Sequence, residues 1–296
     1  MSRIVNALTI DLEEWYQAEL IRQRGLPVQP EDQAEAAVAP ILDLLAASGV
    51  RATFFVVGEV MRRHPELIRR IRSLGHEIAC HGMTHRPLWT LSEAELEREL
   101  GEFAELYERV LDGGRPVGFR APTFSLNQDT RWAVTVLREF GYRYDSSIFP
   151  AKTPLYGVPG APLLPYRISS ADVRREEPRG ALWEFPMTVC VAGGVRLPIS
   201  GGAYLRLLPY GIVCRCLRAV NRTRPFVVYV HPWEVYAGTP KVKGLTLGEH
   251  AAMYAGRRLG LGKVRGLLRD FAFAPMAEVL DTWVAGLNSG NERGHA

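Results

Sequence analysis

The sequence predicts an α/β fold in which parallel strands close into a barrel with helices outside. Two observations carry this reading. Short apolar runs rich in β-branched residues alternate with amphipathic stretches for most of the chain, and that alternation places helices around a parallel sheet. The chain has 296 residues and many such repeats. A single barrel of that size, at roughly 200–250 residues or more per unit, accounts for them better than an open doubly wound sheet.

The elements follow in order. Residues 4–10 (IVNALTI) form a buried strand, and 31–48 a helix that stops at Gly49. Residues 52–57 (ATFFVV) are β-branched and aromatic, a second strand ended by Gly58. A helix over 65–74, capped by Gly75, leads to a third strand at 77–80. Ser92-Glu93-Ala94-Glu95 has the form of a capping box and opens a helix to about Leu111. A strand at 117–119, a helix at 128–140 and a strand at 142–144 continue the pattern. Between 150 and 205 it breaks into a Pro- and Gly-rich insertion, read as loops and a hairpin because aromatic residues recur throughout. A helix near 208–220 and the most apolar strand, 226–230, restore the alternation. Residues 1–287 read as one domain whose part from 250 is a helical extension; 288–296, polar and Gly-containing, is expected to be disordered.

Composition excludes several classes. Hydrophobic residues make up 47% and charged residues 23%, the balance of an ordinary globular chain, and a net charge of +4 implies no nucleic-acid partner. The basic run at 256–269 (GRRLGLGKVRGLLR) has no acid. A solvated helix face explains it most cheaply; the alternative is contact with a phosphate, an anionic polymer or the periphery of a membrane. Cys80, Cys190, Cys214 and Cys216 form no CxxC pair and read as small buried hydrophobes. The N-terminus shows no signal peptide and no apolar run is long enough to span a bilayer, so the expected location is cytoplasmic. Oligomeric state is not legible.

Parallel sheets deliver functional groups at the C-terminal ends of their strands. Behind the strands named above stand Asp11, Glu13 and Glu14; His81 and His85; Arg120; Asp145; and His231. The three-residue gap in His81-Gly82-Met83-Thr84-His85 lets two imidazoles reach one metal, although two capping histidines would look the same. On extended backbone Asp11 and Glu13 share a face, so one can bind metal while the other serves as base. Arg120 suits a pairing with Asp11. His231 is a core histidine or a general acid, with Asp145 its natural partner.

The order Thr9-Ile10-Asp11-x-Glu13-Glu14, Thr53-Phe54-Phe55, His81-x₃-His85, Arg120-x-Pro122, Asp145-Ser146-Ser147 and His231 resembles the polysaccharide deacetylases, the NodB-homology or carbohydrate esterase 4 family. The strings RHPELIRRIRSLGHEIACHG, FRAPTFSL and RYDSSIFP are similar to its exosortase-associated subgroup, and the likeness runs from about residue 5 to 276. The resemblance implies a distorted (β/α) barrel of about seven strands that hydrolyses N-acetyl, less often O-acetyl, groups on sugars. It implies Asp11 as base tethered by Arg120, a divalent metal on His81 and His85, and His231 as acid held by Asp145. The metal is usually zinc, with cobalt or nickel the other candidates. The Thr123 N–H would help stabilise the oxyanion, and Phe124, Tyr204 and Trp233 join it as candidate substrate-binding residues.

One departure stands out. The family pattern has two adjacent aspartates, the second a ligand, but Leu12 follows Asp11 here. That leaves Glu13 or Glu14 as the ligand, with face alternation favouring Glu13. The expected substrate is an N-acetylated sugar or glycoside, or a lipid- or nucleotide-linked glycan precursor. Tyr204-x-Arg206 and the aromatic insertion point to a sugar. Two other readings keep the fold: hydrolysis of a cyclic imide or ureide, and a catalytically silent carbohydrate-binding relative.

Overall fold

The computed structural model describes residues 4–28 and 30–293, with side chains described as far as 287. The strands are β1 (Val5–Leu12), β2 (Thr53–Val56), β3 (Glu77–Cys80), β4 (Gly118–Phe119), β5 (Tyr144–Asp145), β6 (Tyr166–Arg167), β7 (Trp183–Glu184), β8 (Val189–Ala192), β9 (Val195–Pro198), β10 (Val227–Val230) and β11 (Ala272–Ala274). The main sheet runs β10-β1-β2-β3-β4-β5-β7-β6, with β11 paired to the start of β1. Every pairing in it is parallel except β6 with β7. This is a curled α/β half-barrel. Between its two edges the chain bridges the gap, where Val227 N–H donates to Thr188 Oγ1 (2.8 Å) and Tyr229 N–H to the Ser200 carbonyl (2.9 Å).

Period-two alternation divides the core. Leu8, Ile10, Phe54, Val56, Ile78 and Cys80 face outward into the helical layer. Ala7, Phe55, Ala79, Tyr144, Val227 and Tyr229 fill the barrel interior. Thr9 and Asp11 share the inward face with Ala7, so Asp11 emerges at the interior's upper end. A third cluster joins Trp15 and Ile21 to Trp233, Met253 and Tyr254 beside the mouth. At the opposite end buried Glu77 accepts from Thr53 Oγ1 (2.7 Å), Tyr144 OH (2.9 Å) and Ala277 N–H (3.2 Å), pinning the final helix under the barrel.

Several boundaries moved for local reasons. The helix expected at 128–140 is Ala133–Glu139, because the Asn127 side chain accepts from Asp129 and Thr130 N–H and holds a turn there. The helix expected near 208–220 is Tyr210–Val220, and a separate short helix, Gly202–Leu207, precedes it and ends before Pro209. The 150–205 region contains the hairpin β8–β9 but also gives β6 and β7 to the main sheet. The helix Met276–Arg293 continues into the stretch expected to be disordered. Buried Met276, Val279 and Leu280 start that helix, and propagation from an existing turn is cheap, which composition alone does not register. Residues 294–296 lie outside the described residues.

The basic run forms the helix Arg257–Asp270, and it is only partly a solvated face. Arg257 donates to the carbonyls of Trp233, Tyr236 and Thr239, and Lys263 to those of Leu205, Arg206 and Leu208. All four cysteines are free, Cys80, Cys190 and Cys214 buried and Cys216 half-buried. Among the described residues no helix is long and apolar enough to cross a membrane.

Candidate active site

Arg120, immediately beyond β4, is wholly buried and organises the floor of the site. Its Nη1 donates to Asp11 Oδ1 (2.5 Å) and Thr9 Oγ1 (2.8 Å), its Nε to the Ser146 carbonyl (3.0 Å) and its Nη2 to Ser146 Oγ (3.0 Å). The guanidinium carbon lies 4.1 Å from the centre of the Phe55 ring. A buried charge so fully paired is held in one geometry. Asp11 is thereby fixed in the orientation the sequence suggests.

Glu13, two residues on, accepts from Trp233 Nε1 (2.9 Å) through Oε1. Its Oε2 meets His85 Nε2 closely and stands 3.7 Å from His81 Nε2. His81 Nδ1 lies 2.7 Å from the Arg120 carbonyl, which orients the ring so that Nε2 faces Glu13. His85 Nδ1, buried, has no hydrogen-bond partner among the described residues. Ligand atoms of Glu13, His81 and His85 lie within 4.8 Å of one another. Burial works to raise the Glu13 carboxyl, but His85, His231 and His81 outweigh it and hold it well below the usual carboxylate range. Two imidazoles converging on a buried anion suit a divalent metal.

Glu14, the other candidate ligand, faces elsewhere. It accepts from Gln33 and Ala34 N–H at the start of the helix Ala34–Ser48. Burial and the neighbouring Asp32 raise it to about 7.

The loop carrying the histidines is shaped by a residue that sequence reasoning missed. Glu99, on the helix Glu93–Leu111, accepts from Met83 N–H (2.9 Å), Thr84 N–H (3.3 Å) and Thr84 Oγ1 (2.5 Å). Gly82 turns the chain at φ 74° and His85 itself adopts φ 57°, a left-handed conformation uncommon outside glycine.

His231, directly after β10, does not meet Asp145. Its Nδ1 stands 3.1 Å from Glu234 Oε2, its Nε2 3.7 Å from Asp11 Oδ2 and 3.8 Å from Glu13 Oε1, and its ring stacks on Trp233. Burial pulls its pKa down, yet the carboxylates of Glu13, Glu234 and Asp11 prevail and hold it at about 9. Arg206 Nη2 pairs with Glu234 Oε1 (3.2 Å). Arg206 is therefore a buried tether rather than a sugar contact. Glu234 had a legible signal: it follows His231 by three residues across a Pro-initiated turn, within reach of its ring. Asp145 instead accepts from Ser147 Oγ (2.5 Å) and Ser147 N–H (3.2 Å) beside Glu184, burial raising both carboxyls. The acid expected to hold His231 is thus replaced by Glu234.

Asp11, Glu13, His81, His85, His231 and Glu234 line a cavity of about 550 Å³, with Thr123, Phe124, Tyr204 and Trp233 also on its wall. Thr123 has φ 58° and ψ 24°, a strained backbone of the kind that accumulates at functional sites. Ser147 Oγ accepts from Ala121 N–H (2.7 Å), so the Asp145 network supports the segment leading to Thr123.

Fold and site together define a curled α/β half-barrel with a buried His–His–carboxylate cluster where its strands end. Residues 30–144 match the family model described as polysaccharide deacetylase, and 146–281 match a domain of unknown function, DUF3473. Residues 30–144 thus carry a polysaccharide deacetylase domain. A chitooligosaccharide deacetylase of Rhizobium leguminosarum bv. trifolii is 46% identical over 65 residues, 22% of this chain and 30% of that protein. A peptidoglycan deacetylase-like protein of Gibberella zeae is 33% identical over 121 residues, 40% of this chain and 35% of that protein. The chain spans about a third of the length of these relatives. Among solved structures, a "probable polysaccharide deacetylase" of Pseudomonas aeruginosa PAO1 superposes with TM-score 0.61 at 18% identity, covering 95% of this chain and 91% of that one. PuuE allantoinase gives 0.60 at 17%, covering 96% and 91%. These likenesses establish the fold.

Proposed function

We propose that the protein is a metal-dependent hydrolase that removes an acetyl group, N-acetyl before O-acetyl, from a sugar or glycan precursor. The observation that carries the reading is the buried Glu13–His81–His85 cluster set between two tethered groups, Asp11 on Arg120 and His231 on Glu234. A divalent ion held by Glu13, His81 and His85, zinc first with cobalt or nickel as alternatives, would polarise the acetyl carbonyl and acidify water.

The chain's own groups divide the remaining work. Asp11, held in place by Arg120, takes the proton from the attacking water. Water oxygen bonds to the acetyl carbon, and the Thr123 N–H donates to the oxyanion that develops. His231, protonated and oriented by Glu234, gives its Nε2 proton to the departing nitrogen as the C–N bond breaks. Acetate and a free amine result.

Acetate release from N-acetylhexosamine glycosides and chitooligosaccharides, with Zn²⁺, Co²⁺ or Ni²⁺ added, tests this. Chelation should abolish turnover and metal should restore it. His81→Ala should lose both metal and activity; full activity in metal-free protein would overturn the reading. The ureide alternative predicts ring opening with no acetate. A lipid- or nucleotide-linked N-acetylhexosamine is the finer reading of the substrate.

A further inference from the structure

The cavity has two chemically different ends. Around Asp11, Glu13, His81, His85 and His231 every group can ionise or donate. The rest of the wall is mainly apolar: Leu20, Leu155, Leu207, Ala252 and Met253 line it together with Tyr156 and Tyr204. The polar groups at that end are largely spent. Thr153 Oγ1 donates to the Tyr156 carbonyl (2.6 Å) and accepts from Tyr156 N–H (3.0 Å). Glu249 accepts from Thr246 (2.8 Å) and from Arg24 (3.0 Å). Glu19, 3.6 Å from Arg22, keeps a buried Oε2 with no hydrogen-bond partner among the described residues, and Gln23 is exposed at the rim.

Sugar rings on either side of a reacting residue would bring hydroxyls against this wall. Each would exchange water for a wall that offers it no partner, which is unfavourable. The wall is also closed on one side. The Arg24–Glu249 pair (2.9 Å) ties the segment after Trp15 to the helix Leu247–Tyr254, and the cluster of Trp15, Ile21, Trp233 and Met253 packs behind it. At the outer edge apolar surface continues onto Leu207 (51% exposed) and Leu247 (92% exposed), the latter next to cavity-lining Gly248. Exposed leucines leading into an apolar cavity suit a chain longer than the cavity itself.

We infer that the cavity contains a second subsite that takes an aliphatic chain borne by the acetylated sugar, so that the preferred substrate is amphipathic rather than a run of sugars. The inference rests on the deacetylase reading for the polar end alone. Its test therefore separates binding from turnover. Calorimetric titration of the metal-loaded His231→Gln protein with methyl, butyl and octyl N-acetylglucosaminides, all below their micelle thresholds, should show affinity rising roughly fourfold per buried methylene. The octyl glycoside carries its chain at the anomeric oxygen, as a lipid-linked sugar does. A 6-O-octanoyl isomer carries it as an acyl ester, and comparing the two shows which attachment fits.

In the wild-type enzyme, kcat/KM for acetate release should follow the same order and exceed that for chitooligosaccharides. Leu207→Asp, at a half-exposed position that does not threaten folding, should cut the octyl-to-methyl ratio at least tenfold. Equal affinity for methyl and octyl compounds overturns the subsite whatever the turnover. Tight octyl binding with no acetate released by any metal form overturns the deacetylase reading and leaves the subsite standing.

Discussion

His231 owes its aim to a neighbour three positions away, and that neighbour to Arg206. The pair is buried, so removing its charge cannot be made good by solvent. Glu234→Gln is expected to lower kcat by roughly 10²-fold with a smaller change in KM, since it removes the group that orients the acid. Asp145→Asn keeps an acceptor for Ser147 and should cost at least tenfold less; a larger loss of kcat than Glu234→Gln would restore Asp145 to the acid's side. Asp11, Arg120, His81 and His85 were legible because strand ends and two-residue alternation are local properties of a chain. Which acid meets His231 was not local. β10 neighbours β1 while β5 lies four strands further along the sheet, and no spacing in the sequence encodes that order.

The loop from His81 to His85 depends on a helix that never touches the cavity. Glu99 gathers two backbone N–H groups and one hydroxyl of that loop, and groups that orient ligands typically contribute about 10–100-fold to metal affinity. Glu99→Ala should weaken zinc binding by that range in competition with a chromophoric chelator, with an unchanged constant counting against this role. Beneath it, β2 and β3 are joined by a pH-sensitive bond. Ala52 N–H donates to His76 Nδ1 (3.1 Å), and burial with nearby Arg51 lowers that imidazole to about 4. The unfolded chain takes up the proton near 6.5, so stability is present above that pH and is lost as pH falls from 6.5 toward 4. The wild-type urea midpoint should decline through this window, and His76→Gln should flatten the decline. The helix bounds here show the same limit as the site. The capping box at Ser92 was readable because all its parts lie within four residues. The start of the helix at Ala34 was not, because Glu14 supplies its cap from twenty residues away.

Across the molecule, the boundary between the two family matches falls inside one half-barrel. The first match brings His81, His85 and Arg120, the second brings His231, Glu234 and Arg206, and Asp11 and Glu13 precede both. β1 is paired on one side by β10, and Asn6 donates to the Ala272 carbonyl (3.1 Å) and accepts from Phe226 N–H (3.0 Å). A fragment ending at residue 145 leaves that edge and the interior face bare, and is expected to show no cooperative urea transition and no stoichiometric zinc. A sigmoidal transition from the fragment would show that the first stretch folds alone.

The cavity wall follows the same division, since Leu155, Tyr156, Leu207, Ala252 and Met253 all lie beyond the boundary. The residues proposed to hold the ion sit in one length of chain, and most of the wall proposed to select the substrate sits in the other. Grafting a relative's second length onto this first one would exchange the address while keeping the blade.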